Sequence, residues 1–312
     1  MRYRWFISGV FLLTVFFIAG CGADTAKKED AADKVFAVVT DDAERTVTLT
    51  KKPERIVTLS TSFLEPLHAV GGTVVAKPES RLVNPDWAKD AVNIGTAGQI
   101  DIEQVIAQKP DLVLLHKGMH EKYIQMLEDN GIQNVVLEMK SYADVKRDID
   151  ILSKLTGEET KGRERIASMD SAIEHIKEKL PGEKKRVAIL HSTSQGLSVQ
   201  LEGSIAGSIV TLLGWENVAS EMTPLAKNPD AAPYSMETLV EQNPEILFIT
   251  SMGKLEEIKA DMEARIASNP AWQTIPAVRE GHVYYLPQEL FLLSPGLEYP
   301  TAVETMAKCV YP

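Results

Sequence analysis

Two histidines stand four residues apart, at positions 116 and 120, with Met119 between them. On a helix this spacing would place both imidazoles on one face, an arrangement that metal sites use. A metal ion held by the protein alone needs three or four ligands, so a pair is insufficient. The charged neighbours Lys117 and Glu121 also suit a solvated loop at the start of a helix. His116 and His120 are therefore candidate metal ligands, and no metal site is assigned.

A third candidate ligand, Met252, follows an apolar run at residues 246–249. A thioether at that place could ligate haem iron, with His116 or His120 on the opposite side. A methionine that simply packs at a strand end is the commoner arrangement. Met252 therefore joins the two histidines as a candidate metal ligand.

Motifs of enzyme chemistry are missing from the sequence. Residues 203–207 read Gly-Ser-Ile-Ala-Gly, but a hydrolase elbow needs one residue between the first glycine and the serine. There is no phosphate-binding loop and no dinucleotide fingerprint after a strand. We therefore expect a protein that is not an enzyme and has no catalytic residues.

The N-terminus has the layout of a secretory signal. Arg2 and Arg4 precede an apolar stretch at residues 5–19, which is short for a membrane span. The stretch ends in Ile-Ala-Gly-Cys at residues 18–21, which matches the bacterial lipobox. The pattern predicts a signal peptide over residues 1–20, lipidation of Cys21 and a flexible tether over residues 21–35. The protein would then be lipid-anchored at the extracytoplasmic face of the bacterial cytoplasmic membrane, in the periplasm or at the cell surface.

Composition excludes several partners. Removing 20 of the 312 residues leaves 292, enough for two lobes, and losing Arg2 and Arg4 changes the formal charge from −11 to −13. Such an acidic chain lacks the basic surface that nucleic-acid binding needs. Its attachment to a membrane must come from a covalently bound lipid. Cys309 lies in an apolar helical pattern and is predicted to pack there. We expect a monomer without an internal disulfide.

The chain contains two copies of one pattern. Residues 101–115 (DIEQVIAQKPDLVLL) match residues 235–249 (SMETLVEQNPEILFI) without a gap. Each copy has a capping residue, a helix of one to two turns, a proline followed by an acid, and an apolar strand. Strands without polar alternation are typical of parallel sheets covered on both faces. Alternation of strands and helices predicts α/β lobes.

The segment between the two copies is helical. Ser141 and Asp144 have the spacing of a capping box, and apolar residues then recur at helical spacing until Pro181 and Gly182. A long helix is a stiff connector, unlike a Gly/Ser linker. We predict an N-terminal α/β lobe over residues 36–140, a linker helix over residues 141–182 and a C-terminal α/β lobe over residues 183–312. A cleft should lie between the lobes.

The order of these segments resembles the solute-binding proteins of ABC importers that carry ferric siderophores, haem or vitamin B12. The resemblance covers about residues 37–312. It implies the class III periplasmic-binding-protein fold, in which two Rossmann-like lobes with central sheets are bridged by one long rigid helix. The segments that carry it are the strand at 55–60, the helix at 65–71, residues 94–115, the linker, Gly-Trp-Glu-Asn-Val at 214–218 and residues 269–284, which begin Asn-Pro-Ala-Trp.

The resemblance also implies a role for Glu103 and Glu237. In this family one glutamate on each lobe docks into arginine pockets of the membrane permease, and these two occupy the same position in the two copies. An acid in a first helical turn is also favoured by the helix dipole, by ~0.3–1 kcal/mol. That explains either glutamate alone but not the same residue in both copies. We predict docking to an ABC importer permease dimer.

Ligand is expected where strand ends open into the cleft, as in other open α/β sheets. The loops at those ends supply the candidate contacts. These are Ser62, Phe63, Arg81, Gly98, His116, Met119, His120, Ser194, Tyr234, Met252 and Phe291.

The resemblance leaves the ligand open among a ferric siderophore, haem and cobalamin. Arg81 and Lys117 are the obvious cations for an anionic siderophore complex. The loop at residues 95–100 lacks the tyrosine or methionine of haem-binding relatives, and Ser80 and Ala97 stand where B12 binders have their aromatic pair. No cofactor is expected besides such a metal chelate. A direct binder of a transition-metal ion is the alternative, and an extracytoplasmic enzyme is a weaker one.

Overall fold

The first lobe is built on a sheet of six strands in the order β6-β5-β4-β3-β7-β8, in which only the β5–β6 pair is antiparallel. The computed structural model describes residues 35–193 and 196–312, so the predicted signal peptide, Cys21, most of the tether and Ser194 lie outside the described residues. The elements of this lobe are β1 (Ala37–Thr40), β2 (Thr46–Leu49), β3 (Ile56–Thr58), α1 (Leu64–Ala69), β4 (Ala76–Glu79), β5 (Val92–Thr96), β6 (Gln99–Ile100), α2 (Ile102–Ala107), β7 (Leu112–His116), α3 (Ile124–Asp129) and β8 (Gln133–Leu137).

The second lobe has a sheet in the order β12-β10-β9-β13-β14, with β11 also paired to β9. Strands β13 and β14 run parallel to β9, whereas β10 turns back antiparallel to it. The elements are β9 (Arg186–Thr193), β10 (Gly196–Gln200), α6 (Ile205–Leu212), β11 (Glu216–Asn217), β12 (Ala231–Pro233), α7 (Met236–Gln242), β13 (Ile246–Ser251), α8 (Leu255–Ser268), α9 (Pro276–Arg279), β14 (Val283–Tyr285), α10 (Gln288–Phe291) and α11 (Tyr299–Val310).

Two packed helices connect the lobes, α4 (Tyr142–Thr156) and the 20-residue α5 (Glu159–Glu178). Helix α4 begins with the predicted capping box of Ser141 and Asp144 and ends at Gly157, whose φ is 69°. A Cβ on Gly162 of α5 would stand 2.6 Å from the Ser153 side chain, so only glycine allows this approach of the helices. The connector is therefore a tightly packed helical pair.

Both sheets are covered on both faces, as the apolar strand patterns predict. Alternate residues of β7 and of β13 point into different apolar cores. One of these cores contains residues of both lobes and of the connector, including Leu114, Ile149 and Phe248. The lobes and the connector therefore share a continuous core, and the predicted α/β fold of two lobes with a long connecting helix is confirmed.

The two predicted copies have the same helix start. Asp101 caps α2 by accepting a hydrogen bond from the amide of Gln104 at 3.0 Å. Ser235 caps α7 by accepting one from the amide of Thr238 at 3.3 Å. Short polar side chains at this position satisfy backbone donors that a helix leaves free, which is why both helices begin there.

The two copies also share a hydrogen bond from an arginine to the helix end, which we call the arginine clasp. Arg55 donates through Nη2 to the carbonyl of Gln108 at 2.7 Å, and Arg186 donates through Nη2 to the carbonyl of Gln242 at 2.6 Å. A guanidinium at this end satisfies the carbonyls that the helix leaves unpaired. Each copy therefore ties its helix to the start of a central strand in the same way.

Candidate functional site

A cavity of about 400 Å³ lies between the lobes, at the carboxyl ends of their central strands. The first lobe contributes Ser62, His116 and Met119 to its wall, and the second contributes His191 and Phe291. Carboxyl ends of strands in open α/β sheets are the expected place for ligand. The cavity therefore lies where the sequence predicts the cleft.

His116 ends β7 and lies on the wall of the cavity. Its ring stacks on the buried Phe63, with centroids 5.8 Å apart, and its Nδ1 donates to the carbonyl of Lys117 at 2.7 Å. Burial lowers the pKa of His116, so the ring is neutral at pH 7. Its Nε2 then keeps a lone pair without a partner among the described residues.

His120 is 1 % exposed and fixes the loop after β7. Its Nδ1 accepts from the amide of His116 at 3.1 Å, and its Nε2 donates to the carbonyl of Ala97 at 2.8 Å. Burial lowers the pKa of His120, which favours this neutral form. Both ring nitrogens are engaged, so the arrangement leaves no lone pair for a metal, and metal ligation by His120 stays a prediction without support from this geometry.

His191 is the corresponding imidazole of the second lobe. Thr250 donates its hydroxyl to the carbonyl of Leu190 at 3.3 Å, so its oxygen accepts from His191 Nδ1 at 3.1 Å. Burial lowers the pKa of His191, leaving a neutral ring with Nε2 unprotonated. The sequence reasoning missed His191 because it lies inside an apolar strand. Its position near the carboxyl end of a central strand was the available signal.

An ion-pair network crosses the cavity wall. Lys140 Nζ lies 2.7 Å from Asp230 Oδ2 and 3.3 Å from Glu138 Oε1, and Lys117 Nζ lies 3.0 Å from Glu138 Oε2. Glu138 and Lys140 follow the last strand of the first lobe, whereas Asp230 precedes β12 of the second. The network therefore links the lobes at the cavity, and no periodic pattern in the sequence predicts it.

The buried carboxyl of Asp148 holds the backbone of this part of the wall. Asp148 Oδ2 accepts from the amides of Glu138 and Met139, both at 3.1 Å. Met139 has a φ of 53°, which is a costly backbone conformation for a residue with a side chain. Burial, together with the charge of Asp42, raises the pKa of Asp148 to about 9. The protonated carboxyl therefore holds a strained segment between the first lobe and α4.

The remaining predicted contacts divide into two groups. Gly98 adjoins Ala97, which lies on the cavity wall. Tyr234 packs on Trp272 inside the second lobe, with centroids 6.2 Å apart, and Met252 is 69 % exposed. Six of the described candidates are not part of the cavity wall, so ligand contact by them stays a prediction: Phe63, Arg81, Gly98, His120, Tyr234 and Met252.

Glu103 and Glu237 occupy the exposed first turns of α2 and α7. Neither has an ion-pair partner within residues 35–193 and 196–312. Each helix precedes an adjoining parallel strand, so its first turn lies near the carboxyl end of that strand. Both glutamates are therefore on the side of their lobe that carries the cavity.

Two further properties concern metals and membranes. Within the described residues, no three histidine, cysteine, aspartate or glutamate side chains are grouped so as to hold a metal ion. The same residues include no helix with the length and apolar character needed to cross a membrane.

The fold and the cavity define a class of protein, the two-lobed solute binders. The chain belongs to the periplasmic binding protein family (Peripla_BP_2), whose model matches residues 56–290. The resemblance found in the sequence is therefore confirmed.

Curated relatives refine this assignment. The ABC transporter substrate-binding lipoprotein YvrC of Bacillus subtilis is 27 % identical, over 100 % of this chain and 98 % of its own. The Fe(3+)-citrate-binding protein YfmC of the same organism is 26 % identical, over 97 % of this chain and 95 % of its own. Members of this class are not enzymes, so the prediction of a binding protein is confirmed.

A solved structure agrees on the fold. S. aureus IsdE complexed with heme has a TM-score of 0.71 and 22 % identity, and the match covers 83 % of this chain and 99 % of that chain. Identity at this level shows a shared fold and leaves the ligand open.

Proposed function

We propose that this chain is an extracytoplasmic lipoprotein that captures an iron complex or related metal chelate and delivers it to an ABC importer permease. The observation that carries the proposal is the cavity between the lobes, lined by side chains from the strand ends of both. Relatives named for Fe(3+)-citrate binding and solved with heme support a chelate as the ligand class.

A chelate fits this wall better than a bare metal ion. Structural metal sites need three or four protein ligands, and the described residues form no such group. A chelator brings its own ligands, so the protein needs only to surround the complex. His116 and His191, both neutral, are the side chains that could reach an open coordination position of the metal.

Delivery requires the protein to stay at the membrane. Lipidation of Cys21 would anchor the chain, and the names of relatives as lipoproteins support it. In the Cys21→Ser variant we expect release from the membrane or an uncut precursor, measured by cell fractionation and mass spectrometry. Unchanged processing and retention would contradict the anchor.

Docking to the permease would use Glu103 and Glu237. Three observations support this role: both are exposed, both lack ion-pair partners among the described residues, and both lie on the cavity side of their lobes. Exposed charges on a rim steer and orient a partner at little cost to folding.

Ligand titration tests the proposed capture. The full chain, purified in mild detergent, would be mixed with ferric siderophores, haem and cobalamin, and its thermal unfolding recorded. A ligand at a hundredfold excess over its dissociation constant should stabilise the fold by about 2.7 kcal/mol. A ligand concentration of about 50 µM is above the dissociation constants that are usual for specific binding. If none of the three classes raises the melting temperature at this concentration, a chelate is rejected as the ligand.

A matched pair of variants locates the binding. Ser62→Phe would place a ring in the cavity and should reduce affinity at least about tenfold, or 1.4 kcal/mol. Ser268→Phe places the same ring on the exposed end of α8, away from the cavity, and should leave affinity unchanged. Equal affinities in the two variants would place the ligand elsewhere.

A further inference from the structure

The charged side chains on the wall of the interlobe cavity are Glu138, Lys140 and Asp230. Among the described residues, Lys140 is the only lysine or arginine on this wall, and both acids are within ion-pair distance of it. Two carboxylates against one ammonium leave one negative charge. The wall therefore has no uncompensated positive charge for an anionic ligand.

Lys117 compensates this remaining negative charge. It does not line the cavity, but its Nζ pairs with the second oxygen of Glu138, so the wall and Lys117 together are neutral. Lys140 is also the ion-pair partner of Asp230, so moving Lys140 towards a ligand would leave Asp230 without an ion-pair partner among the described residues. An unpaired acid that is partly buried is costly, so Lys140 is held by the protein rather than offered to a ligand.

An adjoining cavity of about 350 Å³ extends the same surface, since it shares Thr61, Ser62 and Ser294 with the first. Its charged side chains are Glu65, Glu289 and Glu298, which are exposed. Within the described part of the chain, none of them has an ion-pair partner, and no lysine or arginine lines this space. This adjoining cavity is therefore acidic.

The rest of the wall is uncharged, with apolar side chains such as Met119 and Phe291 beside polar ones. Hydroxyl and amide side chains line it from both lobes, together with the neutral rings of His116 and His191. Such groups donate and accept hydrogen bonds from uncharged carbonyl and amide groups. They offer weak compensation to a carboxylate or phenolate, which prefers charged donors.

We propose that the ligand is a metal chelate of zero or positive net charge, such as a ferric trihydroxamate, and not an anionic complex. Counting Lys117 together with Glu138, to which it is paired, five carboxylates stand against two ammonium groups over the two cavities, which is a net of three negative charges. A multiply charged anion would lose strong hydration there and be repelled, whereas a neutral complex has less hydration to lose and a cationic complex is attracted. This inference rests on the proposed function and narrows its ligand class.

A panel of ferric chelates of different charge tests the inference. The purified full chain would be titrated, by quenching of tryptophan fluorescence, with a neutral and a cationic ferric trihydroxamate, ferric citrate and an anionic ferric triscatecholate. We expect both trihydroxamates to bind at least about tenfold more tightly than either anion. Tighter binding of an anion would overturn the inference and leave the proposed function standing. If none of the four binds, the inference is overturned, and the proposed function is then decided by the haem and cobalamin titrations described above.

Isosteric variants test whether the acidic adjoining cavity causes the preference. Combining Glu65→Gln, Glu289→Gln and Glu298→Gln removes three charges from exposed side chains. The affinity ratio between the neutral trihydroxamate and ferric citrate should fall at least about threefold, and the difference should shrink further in salt. Glu164→Gln, on the exposed face of α5, is the matched control and should keep the ratio. An unchanged ratio in the triple variant would contradict the electrostatic basis.

Discussion

The two copies of the helix–strand unit are alike at both ends of their helices and differ in the strands beside them, which adjoin the cavity. Each has a capped helix start, an exposed glutamate in the first turn and an arginine clasp at the helix end. The neighbouring strands differ, because β3 pairs with parallel β4 whereas β9 pairs with antiparallel β10. The cavity receives Ser198 and Gln200 from that antiparallel strand.

The difference suggests separate roles for the shared unit and for the strands that differ. The shared unit fixes two glutamates at equivalent places, as a partner with two similar subunits would require. The divergent strands and loops give each lobe its own contribution to the cavity wall. Changes to equivalent residues should therefore have equal effects on delivery and unequal effects on the ligand.

The largest expected effect concerns delivery. Combining Glu103→Ala with Glu237→Ala should abolish uptake in cells or proteoliposomes, because both lobes lose the charge proposed to orient them on the permease. Ligand affinity should stay within about twofold, or 0.4 kcal/mol. Each single variant should be partly impaired, to a similar degree.

The control for this experiment is Glu164→Ala on α5, which should transport normally. Normal uptake by the double variant would reject docking. Loss of ligand binding in the double variant would instead assign these glutamates to the cavity or the fold.

Each of the two helices has one buried apolar side chain at the same position. Replacing it with alanine should show that the two units pack alike. Leu239 of α7 is 4 % exposed, and Val105 stands at the same position of α2 with no exposed surface. Leu239→Ala should lower the free energy of unfolding by about 2–4 kcal/mol, and Val105→Ala, which removes fewer atoms, by about 1–2 kcal/mol. Urea unfolding followed by circular dichroism measures both. A cost under about 0.5 kcal/mol at either site would argue against equivalent packing.

The buried carboxyl of Asp148 makes the stability of the first lobe and the connector depend on pH. The unfolded carboxyl loses its proton near pH 4, whereas the folded one keeps it until about pH 9. The resulting stabilisation is fully present below pH 4 and is lost as the pH rises through 9. The melting temperature should therefore fall between pH 5 and 9, and Asp148→Asn, which resembles the protonated acid, should reduce this fall. If the melting temperature falls equally with pH in the wild type and the variant, other groups cause the fall.

The smallest effect should come from exchanging one residue between the copies. Lys109 and Asn243 both precede the proline and both have a φ of 49°, a region that asparagine tolerates better than lysine. Lys109→Asn should therefore stabilise the fold by about 0.5 kcal/mol, and Asn243→Lys should destabilise it by a similar amount. Effects of the same sign would show that the two turns differ.

Much of this architecture could be predicted because it follows from local rules. Capping residues, proline positions and apolar periods are local signals, and they predicted α2, α7 and the strands after them. The family resemblance predicted the two lobes and the connecting helix, which the fold confirms.

The cavity wall could not be predicted in the same detail. Glu138, Lys140 and Asp230 come together through tertiary structure, across about 90 residues of chain. His191 is hidden within an apolar strand, and the direction of a side chain at a strand end depends on pairing that the sequence does not reveal. Tyr234 illustrates this limit, because its ring packs on Trp272 while the cavity lies elsewhere.

The helical pair α4 and α5 bears on how the chain acquires its structure. Its contacts join residues close in sequence, from the capping box at Ser141 to the approach of Gly162 on Ser153. Local contacts cost little chain entropy to close, whereas the parallel sheets must bring distant strands together. This hairpin can therefore form early, while both sheets are still incomplete. Each lobe would then complete its sheet against a preformed apolar surface, so the order of assembly runs outwards from the middle of the chain.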